Sequence, residues 1–160
     1  MPDVVVISGH PRPGSRTLKL ASAVGARFAR RQGDGSVVLI DVAELGLGLL
    51  TPGDESTGVA LANVQDATVL IVATPTYKGS YTGVLKVLLD QLPANALAGV
   101  VAVPVVTAGV QPQADAAEAM LARLLGELGA DVVDFGLTAI EPELADITAV
   151  ADQYTSAIGA

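Results

Sequence analysis

The stretch Ala73-Thr-Pro-Thr-Tyr-Lys-Gly-Ser-Tyr-Thr-Gly-Val-Leu-Lys-Val-Leu-Leu-Asp90 concentrates groups able to hold a ligand. The whole chain has three tyrosines and two phenylalanines, yet Tyr77 and Tyr81 both fall here, beside Lys78, Gly79 and Ser80. Ligands of open α/β sheets bind beyond the carboxyl ends of the strands, so aromatic rings, hydroxyls and a close-approach glycine at a strand exit suit a ligand surface. The plainer reading is a strand-to-helix loop in which Thr82 caps the next helix.

A second group lies at Gly9-His-Pro-Arg-Pro-Gly-Ser-Arg-Thr17. Glycines and prolines make this a loop, and Ser15 is a good cap for a helix that follows. Backbone N–H groups and the positive end of a helix dipole attract anions there, and Arg12, Arg16 and the hydroxyls of Ser15 and Thr17 can complete a phosphate cradle. The alternative is a capped helix with surface arginines. No G-x-G-x-x-G fingerprint is present, and Gly9-x-x-x-x-Gly14 is followed by Ser15-Arg16 where a nucleotide triphosphatase needs Lys and Ser/Thr.

Other chemistries are excluded by composition. There is no cysteine, hence no thiolate nucleophile, disulfide or thiolate-held metal. His10 is the only histidine, which leaves a histidine-based triad or metal site without partners, so the metal expectation is none. A formal charge of −8 opposes binding to nucleic acid. Six of the nine basic residues nevertheless lie between Arg12 and Arg31, so an anion site fits inside an acidic protein. The longest apolar stretch, Leu97 to Val110, is broken by Gly99, Pro104 and Thr107 and is too short to span a membrane. Met1-Pro-Asp leads directly into a strand without the pattern of a secretory signal, which gives the cytoplasm as the expected location.

The elements that must position these groups alternate along the chain. Strands are expected at Val4–Ser8, Ser36–Asp41, Thr68–Ala73, Val100–Val106 and Asp131–Leu137. Pro104 makes the fourth the weakest, because it removes one ladder hydrogen bond. Helices are expected from Ser15 to about Arg31, Val59 to Gln65, Thr82 to Leu92, Gln113 to Leu128 and Glu141 to Ile158, with a long loop from Leu45 to Gly58. Such alternation with right-handed crossovers predicts one α/β domain over residues 1–160, a doubly wound parallel sheet with helices on both faces. The loops after the first, third and fourth strands then emerge on one edge.

The pairing of Gly9-His-Pro-Arg-x-x-Ser-x-Thr17 with Ala73-Thr-Pro-x-Tyr-Lys-Gly-Ser-Tyr-Thr-Gly-x-Leu-Lys-x-x-x-Asp90, followed by Thr107-Ala-Gly109, resembles the NAD(P)H-dependent FMN reductase family. The likeness is to its flavodoxin-like members, especially those that feed reduced flavin to two-component monooxygenases, and it covers Val4 to about Leu137. It implies a five-stranded sheet in the order 2-1-3-4-5. It implies a phosphate site from Arg12, Ser15 and Thr17, with Arg16 alongside, and an isoalloxazine site lined by Pro75, Thr76, Tyr77, Lys78, Gly79 and Ser80, with Thr107, Ala108 and Gly109 on the far side; His10, in the same loop, is expected at the phosphate side or the surface. The chain departs from the family at His10, where serine is usual, and at Val110, where a second glycine is usual.

The expected function is therefore reduction of FMN by NADPH or NADH, with the protein aligning nicotinamide C4 over flavin N5 and no side-chain acid or base required as a catalytic residue. Expected partners are the flavin, the nicotinamide, a flavin-dependent monooxygenase and a second copy of the chain, in a homodimer or homotetramer built partly on the Thr82–Leu92 helix. Two alternatives stay open. One is a flavoprotein with bound FMN that reduces quinones, azo compounds or metal oxyanions; the other is a non-enzymatic electron carrier.

Overall fold

The computed structural model describes residues 3–33 and 35–159. Strand β1 (Val4–Ser8) is a β-branched run buried along its whole length, as the central strand of a sheet covered on both faces must be. It leads through the Gly9–Ser15 loop into α1 (Arg16–Arg31), whose N-cap Ser15 accepts a hydrogen bond from Leu18 N and whose last turn carries Arg30 and Arg31. Then come β2 (Val37–Asp41), a short α2 (Val42–Leu45), a 3₁₀ turn (Gly46–Leu50) and α3 (Glu55–Asp66). The second half comprises β3 (Val69–Pro75), α4 (Gly83–Asp90), β4 (Val101–Ala108), α5 (Gln111–Glu127), β5 (Asp131–Val132), β6 (Leu137–Ile140), a 3₁₀ turn (Glu141–Asp146) and α6 (Ile147–Ile158).

All strands run parallel in the order β2-β1-β3-β4-β5, with β6 also paired to β4. This is the expected flavodoxin-like doubly wound sheet. Alternate residues of β1 feed two cores: Val4 and Val6 pack with Leu20, Ala21 and Val24 of α1 and Tyr154 of α6, while Val5 and Ile7 face the side held by Val64, Leu85, Leu88 and Leu121. No helix among the described residues is long and apolar enough to cross a membrane.

Four expectations need correction. The Leu45–Gly58 stretch is not a continuous loop: it holds the first 3₁₀ turn, and α3 begins at Glu55, four residues before the expected Val59. Asp54 starts α3 by accepting from Thr57 N at 2.9 Å and Thr57 Oγ1 at 2.8 Å, which offsets the helix-weakening Gly58. The fifth strand is split, with β5 pairing Val101–Ala102 and β6 pairing Val105–Ala108. The gap lies opposite Pro104, which has no N–H to offer, and a Cβ on Gly136 would sit 2.7 Å from the Pro104 carbonyl oxygen. Side chains satisfy the interrupted backbone: Tyr154 Oη donates to the Phe135 carbonyl at 2.8 Å, and Gly136 N donates to Glu118 Oε1 at 3.2 Å. Strands β3 and β4 run two residues further than expected, so Pro75 and Thr107 are register partners at the edge of the sheet. Finally, the last helix opens with a 3₁₀ turn and becomes α-helical only at Ile147.

Helix α1 lies tight against β1 at Gly25, where an added Cβ would come 2.5 Å from Val6 Cγ2 in the fully buried core. Alanine improves helix propensity by about 1 kcal/mol over glycine, whereas overpacking a core costs roughly 1–3 kcal/mol, so the clash should win. We expect Gly25→Ala to lower the melting temperature by several degrees; a melting temperature equal to or above wild type would show that Val6 yields freely.

Candidate active site

Ten of the fourteen residues singled out from the sequence line one cavity of about 270 Å³ at the carboxyl edge of the sheet: His10, Arg12, Arg16, Thr17, Pro75, Thr76, Tyr77, Thr107, Ala108 and Gly109. Glu141 and Leu144 complete the wall. The cavity opens at the strand edge because β1, β3 and β4 are neighbours and end together.

The loops are tied to one another through hydroxyls. Thr17 Oγ1 and Thr107 Oγ1 share a hydrogen bond at 3.0 Å, joining the first turn of α1 to the end of β4. Thr76 Oγ1 donates to the Thr107 carbonyl at 2.9 Å, and Thr82 Oγ1 donates to the Gly9 carbonyl at 2.6 Å. Gly14 N, at a positive φ of 66°, donates to Asp41 Oδ2 at 2.9 Å, so the end of β2 anchors the first loop as well. The Asp41 carboxylate is buried, and its Oδ1 has no hydrogen-bond partner among the described residues.

The remaining four residues support the cavity from outside its wall. Ser15 is buried at the cap of α1; its Oγ accepts from Leu18 N, and the hydroxyl proton remains to donate. Lys78, Gly79 and Ser80 belong to a tight hairpin closed by Tyr77 N donating to the Ser80 carbonyl at 3.0 Å and Ser80 N to the Tyr77 carbonyl at 3.2 Å. Positive φ at both Lys78 and Gly79 (55° and 81°) is the type I′ pattern. Tyr81 packs on the core beneath α4 and is not part of the wall. Glu141 and Leu144 went unnoticed in the sequence because no local pattern announces their place in the wall, and the ion pair of Glu141 with Arg16 spans 125 residues.

The electrostatics suit an anion. Helix α1 has no acidic residue in its first turn, and its first backbone N–H groups have no intrahelical acceptor. Arg12 and Arg16 flank that terminus, Arg16 forming an ion pair with Glu141 at 2.6 Å. His10 is buried, with its ring edge-on to Tyr77 at 6.2 Å, and its Nδ1 accepts from Arg12 N at 3.0 Å. Burial holds its pKa below the ordinary 6.5; the Arg12 and Arg16 charges push the same way, and Asp41 opposes them. A neutral ring with Nδ1 accepting carries its proton on Nε2, where it can donate.

The comparisons with known proteins agree with this architecture. The family model for NADPH-dependent FMN reductases matches residues 2–142. The chain belongs to that family. It is 32% identical to the FMN reductase (NADPH) of Escherichia coli (strain K12), over 89% of this chain and 75% of that protein. It is also 32% identical to the NADH-dependent FMN reductase SfnF of Pseudomonas putida, over 85% of this chain and 76% of that one. The apo structure of the NADH:FMN oxidoreductase EMOB superposes with a TM-score of 0.81 at 32% identity, covering 98% of this chain and 90% of that one. This FMN reductase is thus an NAD(P)H-dependent flavin oxidoreductase, whose small-molecule partners are FMN and a nicotinamide.

Because His10 is the only histidine, its imidazole signals are unambiguous in a proton NMR titration. We expect a midpoint below 6.5 in the free protein. The unfolded chain then binds the proton first as pH falls, so the stability tied to the neutral ring is full above about 6.5 and is lost as pH drops below it. His10→Ser should flatten that part of the stability profile, and a midpoint at or above 6.5 would mean that the ring is solvated.

Proposed function

We propose that the cavity holds FMN with its phosphate at the start of α1 and its isoalloxazine ring against the β3 and β4 exits. In this reading Arg12, Ser15 and Thr17 hold the phosphate, with Arg16 and His10 alongside. Pro75, Thr76, Tyr77 and the Lys78-Gly79-Ser80 turn border one side of the ring, and Thr107, Ala108 and Gly109 border the other. The observation that carries it is the convergence of three loops on one cavity whose helix-terminus end has two arginines and no first-turn acid.

Bound FMN supplies the redox chemistry, and the chain supplies position, electrostatics and exclusion of water. No acid or base from the protein is needed in this reading. His10, whose pKa burial holds below the ordinary value in the free protein, offers its Nε2–H as a hydrogen-bond donor in this reading. We further infer that the 160 residues act as one FMN-binding domain in the cytoplasm and release reduced FMN to a flavin-dependent monooxygenase.

NAD(P)H oxidation measured with and without added FMN tests the central point: turnover should require free FMN. Steady turnover of a quinone or azo acceptor without added FMN would instead indicate a permanently bound flavin. Arg12→Ala should weaken FMN about 10- to 150-fold, the worth of one charge-assisted hydrogen bond, and leave riboflavin nearly unchanged. Equal losses for both flavins, read by fluorescence quenching, would remove Arg12 from the phosphate site.

A homodimer or dimer of dimers completes the proposal. Leu47 and Leu50 are 85% and 72% exposed, and a groove formed by Leu49, Leu50, Pro52 and Val87 continues this apolar surface onto α4. Light scattering should therefore give at least twice the chain mass at micromolar concentration. A fully active monomer would rule the dimer out.

A further inference from the structure

We propose that Glu141 sets the affinity for phosphorylated flavin by competing with its phosphate for Arg16. The inference rests on the phosphate site proposed above and assigns a role to a residue that reading leaves unused.

Glu141 is the only carboxylate among the described residues that line the cavity, and its Oε2 lies 2.6 Å from the Arg16 guanidinium. The two side chains are 54% and 57% exposed, so neither is locked by packing and each is free to change partner. Their backbones, in contrast, are held. Arg16 is the first residue of α1, fixed by the Ser15 cap. Glu141 opens the 3₁₀ turn that follows β6, where Pro142 stiffens the chain and Glu143 Oε1 accepts from Ile140 N at 2.9 Å. The pair is therefore an exchangeable contact between two well-placed backbones in the cavity wall, built from parts 125 residues apart. Among the described residues no carboxylate pairs with Arg12.

The two arginines thus meet an incoming phosphate differently. Arg12 is available at once, whereas Arg16 must first leave Glu141. An exposed ion pair is weaker than a charge-assisted bond to a phosphate dianion, so the phosphate wins the exchange. It wins a smaller net gain, and afterwards the released carboxylate still faces the dianion across the cavity. Glu141 thereby holds FMN affinity down, a property suited to a flavin that must leave after reduction. Riboflavin, lacking the phosphate, does not take part in the exchange.

The test is a fluorescence titration of FMN and riboflavin against wild type, Glu141→Gln, Arg16→Gln and the double variant. Both positions are exposed, and thermal melts confirm that the variants keep the fold. Glu141→Gln should tighten FMN about three- to tenfold, a range set by the loss of one exposed pair plus one nearby charge, while riboflavin stays within about twofold. Arg16→Gln should weaken FMN, and in that background Glu141→Gln should bring a clearly smaller gain, because only the nearby negative charge is then removed and no ion pair is released. FMN affinity unchanged or lowered by Glu141→Gln overturns the proposal. So does an equal gain for both flavins, or a gain that survives undiminished in Arg16→Gln. A wild type that binds riboflavin as tightly as FMN would overturn the phosphate site itself, a result distinct from the failure of Glu141 alone.

Discussion

The cavity depends on how closely the first loop approaches the start of α4. Gly9 N continues the β1 to β3 ladder by donating to the Ala73 carbonyl at 2.8 Å, which presses the Gly9 backbone against α4. A Cβ at this position would lie 2.6 Å from Leu85 Cβ, so only glycine permits the contact. Thr82 then locks it, its hydroxyl donating to the Gly9 carbonyl at 2.6 Å and accepting from Leu85 N at 3.2 Å. Thr82 N in turn donates to Thr74 Oγ1 at 3.1 Å, and that hydroxyl donates to the Pro75 carbonyl at 2.7 Å. These threonines are buried, so leaving any one partner unmade would cost on the order of 1–3 kcal/mol. The same cap that starts a helix therefore fixes the spacing between the two loops that form most of the cavity wall.

The proposed anion site is compatible with a net charge of −8 because near and far fields differ. Exposed charges further than about 8 Å away are largely screened at physiological ionic strength, whereas backbone N–H groups and guanidiniums at the start of α1 act at contact distance. Local arrangement thus outweighs the net charge. Asp41 is the exception that proves useful: its buried carboxylate accepts from Gly14 N and so spends its charge on shaping the loop from behind.

Most of the frame was legible from local pattern, and two of the failures share one physical cause. The β1 and α1 boundaries and the Ser15 and Thr82 caps could be read because hydrophobic period and capping chemistry act over a few residues. The break between β5 and β6 could not, since it depends on Pro104 in the neighbouring strand rather than on residues 133–136 themselves. The same holds for Glu141, whose place at the cavity is set by where β6 ends beside β4 and not by its sequence neighbours. The early start of α3 is the opposite case, a local signal in Asp54-Glu-Ser-Thr57 that two flanking glycines concealed.

The Lys78-Gly79 turn links these levels in one element. Lysine at a positive φ carries a steric cost of about 1 kcal/mol or more, which the surroundings must offset. Two reciprocal backbone bonds between Tyr77 and Ser80 supply that, and Gly79 accepts its own positive φ without strain. The result is a short, stiff rim rather than a long flexible lid. It fixes the root of Tyr77, whose ring lies partly exposed at the cavity and edge-on to His10. A rim already ordered in the free protein has little conformational entropy left to lose when a ligand enters, so the ordering cost subtracted from any binding free energy here is small.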